Sequence, residues 1–360
     1  MRYVFFSFCC FLFLGTVSAQ VTISGKILSN ETGEPVVGAS VYINNSTIGA
    51  SSGNDGSYSL HNILPGTYEI IVSHVAYEPL VHRIEVKTAD LRFTFRLESK
   101  VQQMRDILIL TKDQRKAKMK IFIEQFLGVT IAADRSTLLN EEDVLFEGDE
   151  KPSAFRAFSD VPLEIINKEL GYRIHFELKE FFYDQQSGKT YFYGFTRYED
   201  LEKGNPDKWK KNRQRYYLGS TMHLYHSLNN GSAEPQGFSF FRIGTMNTDG
   251  KGTMAKTMVS TTSGSLVFFD TVVQKKYLEW KGDIIVQYNK DPYYKYFLKK
   301  KFMVMGSLPK GIQTTVSMLE APAYLDANGL LENPLSVQYG GFWGYERLAN
   351  MLPVDYKPGD

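Results

Sequence analysis

Cysteine is nearly absent from this chain: two in 360 residues, Cys9 and Cys10, both inside the first apolar stretch. If that stretch is cleaved, the mature chain has no disulfide, thiol nucleophile or thiolate metal site, and its stability must come from ordinary hydrophobic cores. Histidine is scarce too, with six. No H-E-x-x-H, G-x-S-x-G, Walker or dinucleotide-binding pattern occurs, so zinc-peptidase, serine-hydrolase and nucleotide chemistries lack their usual signatures. His223 and His226 stand three apart, but a chance pair outweighs a zinc site. No catalytic, cofactor-binding or metal-binding residue is assigned, and no cofactor is expected. Neither charge sign is in excess: with Arg2 removed, 40 basic side chains face 40 acidic ones. That balance argues against nucleic acid as a partner. After the first stretch no apolar run is long enough to span a bilayer as a helix.

What is present begins with that stretch. Arg2, the run from Val4 to Leu14, and the small residues Val17 and Ala19 before Gln20 read as a secretion signal over residues 1–19. Export follows, to the periplasm or the outer-membrane periphery, with the cell surface as the alternative. Residues 21–98 then alternate short apolar strands with Gly, Asn, Asp and Pro turns, which predicts an all-β sandwich. Asp55-Gly56 and Pro65-Gly66 read as tight turns, each glycine in the left-handed region.

In the larger remainder, residues 99–119 form a linker running into a helix, and 120–353 an aromatic-rich α+β region. Residues 354–360 read as a loose tail. Met119, Phe122, Ile123 and Phe126 fall at helical spacing, with Gly128 as the stop. Tyr172, Ile174, Phe176 and Leu178 alternate with Arg173, His175, Glu177 and Lys179. The turn 185–189 then returns the chain as a hairpin. Residues 207–228 predict a helix, kinked or divided at Gly219-Ser220. Strand-like runs fill most of the rest, including 295–306, and a short helix is expected over Glu346–Pro353. The fold class is therefore mainly β: a Greek-key sandwich followed by a larger β-rich α+β domain.

The first domain resembles a known family. The marks are the Gly25 strand, Gly33-Glu-Pro35-Val-Val-Gly38-Ala, Asp55-Gly56-Ser-Tyr58 and Leu64-Pro65-Gly66-Thr-Tyr68. Together they look like the carboxypeptidase-regulatory-like module, a transthyretin-like sandwich that accompanies catalytic domains and carries no zinc itself. The resemblance implies a structural or docking role. Phe158 to Leu163, Leu170-Gly171-Tyr172 and Gly341-Phe-Trp343-Gly-Tyr345 extend it. They are similar to Bacteroidota envelope proteins described as carboxypeptidase-like regulatory domain-containing, a family that implies no catalytic residues for this chain.

The expected function is a non-catalytic envelope accessory or binding protein. Its sandwich docks, and its larger domain engages an outer-envelope protein complex or a glycan, with peripheral association to the outer membrane. The oligomeric state is open. Amphipathic rings and a basic helix face nominate Trp209, Arg213, Tyr216, Tyr217, Tyr191 and Tyr193 as the partner surface. The alternative is a hydrolase of extracellular glycan or peptide, for which Glu177 and Glu180 are candidates in name only. Export makes one direct prediction: mass spectrometry of the protein from its host will place the mature N-terminus at Gln20, and an intact Met1 would refute cleavage.

Overall fold

The computed structural model describes residues 20–100, 107–148, 153–247, 254–290 and 312–359. The expected signal and the run 295–306 lie outside the described residues. The first domain holds seven strands: β1 (Val21–Ser29), β2 (Ser40–Ile43), β3 (Gly49–Ser51), β4 (Ser57–Ile63), β5 (Gly66–His74), β6 (Tyr77–Val86) and β7 (Leu91–Leu97). They form two sheets, β4-β1-β7 and β3-β2-β5-β6. β1 pairs in parallel with β7 and antiparallel with β4. Alternate residues of both sheets, Ile23, Ile27, Val41, Ile43, Ile70 and Val72 among them, close a dry core between the layers. Gly56 takes φ +74°, and a Cβ there would press on the Ile27 carbonyl. Gly66 does not take the left-handed turn position; it is the first residue of β5.

The next segment builds a helix-backed sheet. Helix α1 (Lys112–Leu127) starts at a capping box, Thr111 with Gln114, and ends at Gly128 with φ +99°. A short α2 (Ile131–Asp134) leads to β8 (Ser136–Leu138), β9 (Leu145–Gly148), β10 (Ala154–Phe158), β11 (Leu163–Asn167), β12 (Tyr172–Asp184) and β13 (Thr190–Asp200). β12 is the central strand. β11 and β10 share one of its sides, and β13 takes the whole of the other. Phe122 and Phe126 of α1 meet Phe181 and Phe176 edge-on at 4.9 and 5.0 Å. A bulge between Leu178 and Glu180 shifts the alternation, so Phe181 and not Phe182 points at α1.

Helices α3 (Pro206–Tyr217), α4 (Thr221–Asn229) and α5 (Ala233–Gln236) follow. The break between α3 and α4 falls at Gly219, φ +80°, with Ser220 capping α4. The last part holds β14 (Phe238–Asn247), β15 (Met254–Thr261), β16 (Val267–Asp270), β17 (Lys275–Leu278), β18 (Asp283–Tyr288), β19 (Ile312–Met318), β20 (Ala323–Tyr324), β21 (Val337–Gly341) and the one-turn α6 (Phe342–Tyr345). β15-β14-β18-β19-β21 form one sheet and β16-β17-β20 a small second one.

The larger region thus carries two cores. One lies under α1, and the other contains Leu224, Phe238, Trp280 and Trp343. Leu218 packs against both, and the Trp343 indole donates to the Gly219 carbonyl at 2.8 Å. The tail is docked at its start: Tyr356 is buried, and Asp355 accepts from the Thr47 backbone at 3.0 Å. Among the described residues no helix is long and apolar enough to cross a membrane.

One glycine tests the packing. Gly171 has φ +75°, and a Cβ there would run into the Trp209 ring. Gly171→Ala is expected to destabilise the protein by about 2–4 kcal/mol, read as a drop in the denaturant midpoint. A change under 0.5 kcal/mol, within the range of ordinary surface substitutions, would show that Trp209 is not locked there.

Candidate functional site

The six residues nominated from sequence do not share a surface. Helix α3 is a core element: Trp209, Tyr216 and Tyr217 are all buried. Trp209 lies against Gly171 and Gly204, and its indole N–H donates to the Lys168 carbonyl at 3.2 Å. Tyr216 and Tyr217 join the core under α1. Arg213 does not reach out for a ligand. Its guanidinium donates to the carbonyls of Leu170 and Gly171, pairs with Asp200, and sits 3.8 Å above the Tyr172 ring. Of the basic run that suggested a gripping face, Arg213 acts with Trp209 and Asn212 as a clamp on the β11–β12 turn.

Tyr191 and Tyr193 are different. They stand on β13 at 38% and 57% exposure, on the face of the sheet turned away from α1. The register places Tyr191 opposite Phe182 and Tyr193 opposite Glu180. Phe182 stacks on Tyr191 with centroids 5.2 Å apart and 18° between planes. The Tyr191 hydroxyl donates to Glu180 Oε1 at 3.0 Å, and Arg156 pairs with Glu180 while its guanidinium lies 5.2 Å over Phe182. Burial first, then the Glu69 carboxylate, pushes the Tyr193 hydroxyl up from its ordinary range. The result is a ring surface whose polar partners hold it in place. The signal for it in sequence is the i, i+2 spacing of Tyr191, Tyr193 and Phe195 on one strand face.

Farther along the same face the sandwich is seated. Its β2–β3 turn caps the edge of β13. The Asn45 N–H donates to the Thr196 carbonyl at 2.7 Å, Asn44 Oδ1 accepts from the Thr196 N–H at 2.9 Å, and the Tyr198 N–H donates to Ser46 O at 2.9 Å. Val354 N–H closes the turn from the tail side on Asn45 O. Tyr42, Ile71 and Phe195 make the apolar contact between the two sheets. Beside them the Tyr42 hydroxyl donates to Glu177 Oε1 at 2.8 Å. Burial first, then the Glu177 charge, drives the Tyr42 hydroxyl far above its usual titration range, so it remains a donor. A second seat lies at the loop after β20. There Asp326 Oδ2 accepts from the Thr67 N–H, Asn328 donates to the Tyr68 hydroxyl, and Lys275 bridges Glu85 and Glu332.

Next to the apolar contact the two faces part, leaving a cleft of about 300 Å³ with His175, Glu177, Lys179 and Arg197 on one side and Ser40, Ser73 and His74 on the other. His175 Nε2 lies 3.2 Å from Glu199, which also pairs with Arg197. Glu177 and Glu180 are each engaged, by Tyr42 and by Arg156 with Tyr191, and do not stand as two free carboxylates across a groove. His223 and His226 do not converge on a point: His223 Nδ1 accepts from Gly219 N–H, while His226 Nδ1 meets the Tyr217 hydroxyl. Among the described residues no cluster of three metal-type side chains occurs.

Residues 23–109 match the family model described as CarboxypepD_reg-like domain. The N-terminal sandwich is a carboxypeptidase-regulatory-like domain; the match ends at residue 109, before α1. No curated protein matches the chain. Solved structures give only distant likenesses. A putative membrane-associated protein of unknown function from Bacteroides fragilis is 11% identical, covering 89% of this chain and 93% of that one at a TM-score of 0.19. A putative carbohydrate binding protein from Bacteroides uniformis is 13% identical, covering 67% and 98%, also at 0.19. Hydroxyquinol 1,2-dioxygenase from Pseudomonas putida is 13% identical at 0.19, over 24% of this chain and 58% of that one, so the chain spans little more than half its length.

Two measurements check the chemistry of this region. Tyr42→Phe removes the donor to a buried carboxylate and is expected to cost about 1–3 kcal/mol, with Glu177→Gln recovering part of the loss in the double variant. Burial pushes His223 down to about 4 from 6.5. The unfolded chain binds that proton near pH 6.5 and the folded chain refuses it until about 4. Its contribution is thus complete above 6.5 and is lost as pH falls towards 4. Urea midpoints between pH 7 and 4 should fall more steeply for the native protein than for His223→Ala; equal slopes would refute the assignment.

Proposed function

We propose that this chain is a non-catalytic accessory or binding protein of the cell envelope, exported to the periplasm or the outer-membrane periphery. In this reading the sandwich is a docking module held in one orientation, and the body engages a protein or glycan partner. The observation that supports it is the exposed pair Tyr191 and Tyr193, of which Tyr191 is stacked on Phe182 and held by Glu180 and Arg156 while Tyr193 lies edge-on to Phe195. Rings with an apolar face and a polar rim favour partners that combine the two, as sugar rings and peptide surfaces do. Because β13 also carries the sandwich, whatever binds those rings lies beside the docking module, and the two can act on one assembly.

The test is affinity capture from gently solubilised outer membranes, with the native protein and a Tyr191→Ala/Tyr193→Ala variant side by side. The native protein is expected to bring down a specific complex or to be retained on an envelope polymer. The double variant should lose at least about tenfold, corresponding to about 1.4 kcal/mol for the two rings together. A native protein that emerges alone and cleaves an envelope polymer would overturn the reading in favour of a hydrolase.

A further inference from the structure

The cleft between the sandwich and the body has a cause in the strand registers. On β2 and β5 the outward-facing cross-strand pairs are Tyr42 with Ile71 and, one step along, Ser40 with Ser73. On β12 and β13 the corresponding pairs are Glu177 with Phe195 and His175 with Arg197. The large pair Tyr42–Ile71 closes on Phe195 and seals the junction. The serine pair is too small to close on His175 and Arg197, and the cleft of about 300 Å³ remains there. Two leucines in place of the serines would complete an ordinary apolar sheet contact. A polar opening of this size at a domain junction has the dimensions and placement of a small-molecule site.

The lining indicates what chemistry fits. Three cationic side chains, Lys100, Lys179 and Arg197, face three carboxylates, Glu78, Asp160 and Glu177. Several are already paired: Lys179 with Glu177 at 3.5 Å, Lys100 with Asp160 at 3.5 Å across the mouth, and Arg197 with Glu199. An anionic ligand would have to take a cation from one of these pairs, and a cationic one would find only the exposed Glu78 outside them. A neutral ligand rich in hydroxyls breaks none. It can donate to the remaining carboxylate lone pairs and accept from the lysine, arginine and serine donors. A cleft of about 300 Å³ lies at the lower end of the range of small-molecule sites.

We infer that the junction cleft binds a short neutral saccharide, a mono- or disaccharide unit, gripped jointly by the sandwich and the body. This site is separate from the Tyr191–Tyr193 surface, with the Tyr42–Ile71–Phe195 contact between them, and it does not depend on that surface binding anything.

The test uses the mature full-length chain and a calorimetric or NMR titration with methyl hexosides, N-acetylhexosamines and neutral disaccharides, with uronates and amino sugars as charged comparators. At least one neutral sugar is expected to bind, with an affinity unchanged within twofold between 50 mM and 500 mM salt. Ser40→Leu and Ser73→Leu, which fill the cleft, should each weaken that binding at least tenfold, while Tyr191→Ala/Tyr193→Ala changes it less than twofold. If a filled variant loses its cooperative unfolding transition, Lys179→Met serves instead, and it too should weaken binding severalfold. No binding by any neutral sugar, binding only by charged sugars, or full binding in both the filled variants and Lys179→Met overturns the inference. Capture of a partner that depends on Tyr191 and Tyr193, together with no binding of any neutral sugar at the cleft, would overturn the inference while leaving the proposed function standing.

Discussion

A four-residue surface turn sets the relation between the two halves of this protein. Asn44 to Thr47 lies along the outer edge of β13, where its backbone and the Asn44 side chain take up the N–H and C=O groups of Thr196 and the N–H of Tyr198. An edge strand left bare invites pairing with other chains. Here the chain covers part of that edge with its own first domain. Ser46 is fully buried by the contact, and the tail reaches in from Val354 and Asp355 to close over the turn. The sandwich is consequently a fixed arm with a defined orientation, which a docking module tethered by a flexible linker would not have.

That seating determines what the outward face of the large sheet can present. Where Tyr42 and Ile71 land, Phe195 and Glu177 are removed from solvent. On one side of the landing the rings of β13 stay open, and on the other the small Ser40–Ser73 pair leaves the polar cleft. The Leu178–Glu180 bulge matters to both. Without its one-residue shift, the ring that now reaches α1 and the one that now backs Tyr191 would trade faces.

Much of the architecture was legible from local chemistry. The β12–β13 hairpin, the Gly128 stop, the division of the helical stretch at Gly219-Ser220 and the strand-and-turn rhythm of the sandwich all rest on periodicity or on backbone conformations that glycine permits. The site was less legible. Trp209, Arg213, Tyr216 and Tyr217 have the residue types of a binding surface, but the same types serve a core helix that clamps a turn. What separates the two roles is the approach of Leu170 and Gly171, more than thirty residues earlier in the chain. The docked tail was equally hidden, because Asp355 and Tyr356 find their partners on a turn and a helix remote in sequence.

The sequence by itself determined the module type, the mainly β class and the local breaks, because turn glycines, alternation and helical spacing act over a few residues. Only the tertiary structure decided which rings face solvent, that β13 carries the sandwich on its edge, and that an opening persists at their junction. Those outcomes depend on which side-chain pairs from distant strands are brought face to face, and no local pattern encodes that.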